Sequence, residues 1–146
     1  MSLLTASRTT QWPLVAEFTF DVTDTMANVS GATQSLSAAG AFGIIGLPAG
    51  AVVTGGSVST EVDCSGGTGS ALTVDIGDAT TADRYTASPV DVTGAGSTAL
   101  TLTGFRSTGE NVQMTIAATG AYALGTVSVR VEYTMAGRSN EVQLAS

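Results

Sequence analysis

The chain has 146 residues, enough for one domain of ordinary size to build a self-sufficient core without disulfides or metal. Twelve acids oppose five arginines (8, 84, 106, 130 and 138), giving a net charge of −7 with no lysine and no histidine. Scattered arginines on an acidic chain argue against binding to phosphate backbones, which takes clustered cations that release counterions, so no nucleic-acid partner is expected.

Charged residues make up only 12% of the chain and mean hydropathy is +0.30, while Thr, Ala, Gly and Ser fill about half of it. A surface so poor in charge must be covered by Thr and Ser or by a partner, and large uncharged surfaces tend to associate. Residues 1–13 carry no clear period and end in Trp12-Pro13; proline pushes the residue before it toward extended backbone, so this segment is expected to enter the fold as an arm. No secretory signal is visible there, because no continuous apolar run follows the arginine. Phe18, Phe20 and Val22 then alternate with Glu17, Thr19, Asp21 and Thr23, the pattern of a half-buried strand with an acidic outer face. Asp24 to Gly40 is small and polar and reads as a connection with one short edge strand.

Leu36 to Val53 is uncharged and about long enough to span a bilayer. Its glycines 40, 43, 46 and 50 and Pro48 would break a helix repeatedly, so two strands around a turn explain it better and no membrane is expected. Leu47-Pro48-Ala49-Gly50, with proline second and glycine fourth, has the composition of a type I turn. Ala51 to Val53 restarts a strand that Gly55-Gly56 interrupts as a bulge or bend would. Val58, Thr60, Val62 and Cys64 are then expected inward, with Ser59, Glu61 and Asp63 outward. Leu72, Val74 and Ile76 form the next strand, and Tyr85 to Val92 another, weakened by Pro89 and so at an edge. Leu100 with Leu102, Val112 through Ala118, and Val127 through Met135 complete the set. The last is the cleanest, with Val127, Val129, Val131, Tyr133 and Met135 on one face and Ser128, Arg130, Glu132 and Thr134 on the other.

About eight short strands with frequent turn signals and no helix predict an all-β, antiparallel β-sandwich, jelly-roll-like, with an extended N-terminal arm. The domain division is an arm at 1–13 and one sandwich domain at 14–146.

Chemistry is sparse. A lone Cys64 excludes an intramolecular disulfide and a Cys/His metal site, and reads as a small inward hydrophobe. The Gly-rich stretch Ser65 to Ser70 is not a phosphate cradle, because that cradle requires a lysine the chain lacks. Without His or Lys, only carboxylates remain as bases. Glu61 and Asp63 lie about 7 Å apart on one strand face, within the spacing of some glycosidases, but paired acids on an outward face usually keep a strand soluble, so no enzyme activity is expected. Asp75, Asp78 and Asp83 are weak candidates for a hard cation in the Gly/Asp-rich stretch Ile76 to Tyr85. Their spacing departs from the Asp-x-Asp-x-Asp-Gly loop, and the alternative is a Gly77-Asp78 turn with Asp83 capping or pairing with Arg84. Asn28-Val29-Ser30 is formally a glycosylation sequon, read as chance.

Three segments carry a resemblance: Gly46-Leu47-Pro48-Ala49-Gly50-Ala51-Val52-Val53-Thr54-Gly55-Gly56, then Val74-Asp75-Ile76-Gly77-Asp78-Ala79-Thr80-Thr81-Ala82-Asp83-Arg84-Tyr85, and Val127 through Tyr133. In order, over most of residues 40–135, the chain resembles the small head proteins of tailed phages called decoration, cement or head-fibre proteins. In those, a strand with a Leu-Pro-Ala-Gly turn precedes a Gly-Asp loop ending in Asp-Arg-Tyr, and a Val-x-Val-x-Val-x-Tyr strand closes the sheet. The resemblance implies a β-sandwich made in the bacterial host cytoplasm that binds the outer surface of the assembled capsid. Its partners would be the major capsid protein and itself, as a homotrimer, with no cofactor. Leu3, Leu4, Trp12 and Leu14 would anchor the arm on a neighbour or the shell, or form a terminal strand of the chain's own sheet. Phe42, Ile44 and Ile45 would face the core or a neighbour. A tail or baseplate structural protein, or a carbohydrate-binding host-recognition jelly roll, are the other readings of such a chain.

Overall fold

A computed structural model describes residues 13–135, and their fold is set by alternation of β-branched and hydroxyl residues along ten strands. These are β1 (Leu14–Asp21), β2 (Thr25–Ala27), β3 (Thr33–Ser35), β4 (Gly40–Gly46), β5 (Ala51–Ser65), β6 (Ala71–Gly77), β7 (Val90–Asp91), β8 (Gly96–Ala99), β9 (Asn111–Thr119) and β10 (Leu124–Met135). Eight build two four-stranded antiparallel sheets, ordered β1-β10-β5-β8 and β4-β9-β6-β7. β2 and β3 form a separate hairpin, where the sequence suggested only one short strand. The chain passes repeatedly between the two sheets, and its first and last strands, β1 and β10, are neighbours in an all-β antiparallel sandwich.

The inner faces meet in one core. Phe20, Val53, Val58, Val127, Val129 and Val131 from the first sheet pack with Phe42, Leu72, Val74, Ile76, Val112, Met114 and Ile116 from the second. β-branched side chains suit this position because the pleated strand already holds the rotamer they prefer. β10 follows the expected alternation: Val127, Val129 and Val131 are fully buried, with Tyr133 and Met135 packed at the core's margin.

β5 departs from its expected phase. Thr60 pairs with Val127 but Val62 pairs with Thr126, so one residue, Glu61, is extra. Such a bulge turns Val62 to the outer face, where it is 42% exposed, and a second shift returns Cys64 to the interior. The Gly55-Gly56 irregularity does not end the strand, which runs continuously through Ser65, with a register shift beside Gly55.

The window 36–53 holds the end of one layer and the start of the other, since β4 belongs to the second sheet and β5 to the first. The turn between them lies one residue later than its composition suggested. Ala51 N–H donates to Pro48 O at 3.1 Å, and Gly50 takes φ +86° at the third position, as a type II turn requires. Among the described residues no helix is long and apolar enough to cross a membrane.

Residues 79–89 are not a strand. Only Val90 and Asp91 pair with β6, because Tyr85 N–H is already taken by Ile76 O at 2.8 Å and Thr86 Oγ accepts from Ile76 N–H. Those bonds fold the chain back over the end of β6. The Leu100–Leu102 expectation shifts likewise: β8 ends at Ala99, Leu100 turns into the core, and Leu102 stays 56% exposed.

Candidate interaction surface

The loop after β6 is held by a carboxylate. Gly77 leaves the strand where a Cβ would collide with Thr81 O and the Ala82 carbonyl, so only glycine lets the loop close this tightly. Asp78, 5% exposed, then accepts at Oδ1 from Thr80 N–H at 2.9 Å, Thr80 Oγ at 2.7 Å and Thr81 N–H at 2.8 Å. Its Oδ2 pairs with Arg84 Nε. Arg84 also donates to the hydroxyls of Thr80 and Thr81 and stacks on Phe105, its guanidinium carbon 3.6 Å from the ring centroid. Burial alone would raise the Asp78 carboxyl, but the bonds from Arg84, Thr80 and Thr81 outweigh it and hold it at about 2. The adjacent Tyr85 hydroxyl is pushed up, first by burial and then by the Asp78 charge.

The three carboxylates that the sequence offered weakly to a hard cation have separate surroundings. Asp78 spends its oxygens on the loop and on Arg84, Asp75 accepts from Thr86 Oγ at 3.2 Å, and Asp83 is exposed. No group of three or more His, Cys, Asp or Glu among the described residues could hold a metal. Arg84's acidic partner is Asp78, six residues away, and not the adjacent Asp83. Phe105 beneath the guanidinium was invisible to local pattern, because it comes from the segment joining β8 to β9.

Phe42 (fully buried) and Ile45 (8% exposed) face the core, and the half-buried Ile44 packs against it. Leu14 begins β1 opposite Tyr133 and is 37% exposed, so it belongs to the sandwich's own edge strand. Leu3, Leu4 and Trp12 lie outside the described residues. Cys64 is buried, its thiol pushed up by burial and by Asp63, Asp21 and Asp91, and it donates to Val92 O at 3.3 Å. Asn28 uses its side-chain amide within the β2–β3 hairpin, donating to Gln34 Oε1 at 2.8 Å and accepting from Ser30 and Ala32 N–H at 3.0 Å. Glu61 and Asp63 both stand exposed, with Asp63 accepting from Ala95 N–H.

The outer face of the first sheet carries the hydroxyls that alternation placed outward, bonded to one another across strands. Thr19 and Ser128 meet at 2.9 Å, Ser128 donates to Glu17 at 2.8 Å, and Ser59 donates to Ser97 at 2.9 Å. Arg130 pairs with Glu132 at 3.2 Å on the same face. A shallow depression of about 260 Å³ lies among Glu17, Ser57, Ser59, Glu61, Ser128 and Arg130. Such a surface offers donors and acceptors without deep relief, which suits a broad, water-bridged protein contact.

The described residues form an all-β sandwich with a pinned loop after β6 and a polar outer sheet face. No protein-family model and no curated protein matches the sequence. Solved structures do share the fold. One chain of the cyanophage Pam1 capsid asymmetric unit is 22% identical with a TM-score of 0.57, over 92% of this chain and 94% of that one. A chain of the acidic stable capsid of Helicobacter pylori bacteriophage KHP30 is 15% identical with a TM-score of 0.55, over 83% and 86%. A chain of the Ralstonia phage GP4 capsid is 16% identical with a TM-score of 0.50, over 94% and 93%.

Proposed function

We propose that this chain is a capsid decoration, or cement, protein of a tailed phage. It binds the outer surface of the assembled shell through the major capsid protein, as a homotrimer, and braces the shell against internal pressure. The observation that carries this reading is the fold shared over more than four fifths of each chain with chains of the Pam1 and KHP30 capsids. The physical character of the molecule supports it. A bracing protein needs no catalytic centre, gains from a surface without affinity for nucleic acid, and needs broad polar faces such as the hydroxyl carpet of the first sheet. The test is addition of purified protein to shells that lack it. The reading expects co-sedimentation in a fixed stoichiometry and a raised shell melting temperature. Absence of co-sedimentation would sink it, and selective binding on a glycan array would transfer the assignment to host recognition.

A further inference from the structure

The sandwich has four outer strands, and three are protected. β1 carries Glu17 and Asp21, β4 has Ala41 O covered by Val29 N–H of the hairpin at 2.9 Å, and β7 is two residues long and follows Pro89. Charge, cover, brevity and proline are the devices that keep sheet edges from pairing with other chains. β8, Gly96-Ser97-Thr98-Ala99, has neither charge nor proline and is exposed along its whole length.

Its backbone polarity follows from the register. Leu100 N–H donates to Gly56 O at 3.0 Å, and β8 pairs Thr98 with Val58 and Gly96 with Thr60. Alternation in an antiparallel ladder therefore turns the N–H and C=O of Ser97 and Ala99 away from β5. Thr98 and Ala99 line a groove of about 310 Å³ whose other wall includes Thr86, Pro89 and Asp91, and Ser97 continues the same open edge just beyond it. Thr101 N–H, bound to Tyr85 O at 2.8 Å, closes one end. The groove thus offers an open ladder between the edges of both sheets, the setting for strand addition by an extended segment.

We propose that this groove receives residues 1–12 of a second copy of the chain. Charge favours that occupant: residues 13–135 carry eleven acids against three arginines, Asp91 among them in the groove, while residues 1–12 carry Arg8 and no acid. Small and β-branched residues, Thr5-Ala6-Ser7 and Thr9-Thr10, suit a narrow cleft beside an extended strand. Twelve residues reach up to about 40 Å extended, well beyond the about 15 Å across the three strand spacings of one molecule's own sheet, so the segment is long enough to leave that sheet for a neighbour's. Arg106 bridges Val52 of β5 at the end of the first sheet where β1 begins, so that end already carries a backbone segment of the same molecule. Donor and acceptor are different parts of the surface, a head-to-tail contact that forms a ring when its rotation closes after three copies. The inference deepens the homotrimer of the proposed function and rests on that reading only for its setting in a virion.

The test uses the full chain, Ser97→Pro, and a variant lacking residues 1–12, with native mass spectrometry and amide hydrogen exchange. Ser97 N–H makes no bond to β5, so proline there blocks an added strand while leaving the sheet intact. The expected result is an oligomeric wild type, monomers for both variants, and Ser97 and Ala99 amides exchanging about tenfold more slowly in wild type than in the deletion. A monomeric wild type, an oligomer that survives Ser97→Pro in folded form, or equal exchange with and without residues 1–12 would each overturn it. Should Ser97→Pro fail to fold, the exchange comparison decides alone. No readout involves a shell, so this inference and shell binding fail separately.

Discussion

Replacing Asp78 with Asn removes one charge from the loop after β6 and keeps its shape. The carboxyl sits at about 2 instead of its ordinary 3.8, which corresponds to about 2 kcal/mol of preference for the ionised folded form. Asn could still accept from Thr80 and Thr81 N–H, but its amide would oppose Arg84 Nε, a donor facing a donor. Arg84 retains the Thr80 and Thr81 hydroxyls and the Phe105 ring, which limits the loss below that of a fully orphaned buried charge. The expected cost is about 2–3 kcal/mol, a fall in Tm of about 6–10 °C for a domain of this size. Because the folded carboxyl lies below its unfolded value, its contribution is complete above about pH 4 and is lost as pH falls through about 2. Urea unfolding of both proteins at pH 7, and calorimetry from pH 5 down to 2, should show a gap that is constant at first and then closes. A gap under about 0.5 kcal/mol at pH 7, or one that does not change with pH, would refute the role given to this ion pair.

Gly77→Ala should destabilise more severely than a surface glycine change, because its methyl would strike the Thr81 and Ala82 carbonyls; circular dichroism melting checks this against Gly94→Ala, which has open space. Phe42→Ala should cost about 3–5 kcal/mol as a core truncation, whereas Leu14→Ala, already 37% exposed, should cost less than about 1. Denaturant titration separates the two, and near-equal losses would contradict the burial assigned to Phe42. Cys64 should resist alkylation in the folded protein at neutral pH and react in urea, because burial and nearby carboxylates disfavour its thiolate.

Strands whose alternation is strict were readable from sequence, above all β10, because half-burial imposes a period of two that no other element mimics. Where non-local bonds override the period, the reading slipped. Val62 turned outward because a bulge at Glu61, set by pairing with β10, reverses the phase. Tyr85 to Val92 kept its apolar spacing yet folded back, because Ile76 and Thr86 bind each other across the loop. The carboxylates 75, 78 and 83 were visible as a group, but their divergence depended on Arg84 choosing Asp78, a geometry that linear distance does not reveal. Which hydroxyls face outward was legible from alternation, but which ones meet was not, because only the registers of β1, β10, β5 and β8 lay them side by side.

Electron cryomicroscopy of the phage shell bound to this protein addresses the central claim most directly. The account predicts sandwich-shaped density on the outer surface, repeated at symmetry-related positions in contact with the major capsid protein. Shells incubated with excess protein that show bare outer surfaces, or density confined to the tail, would contradict it.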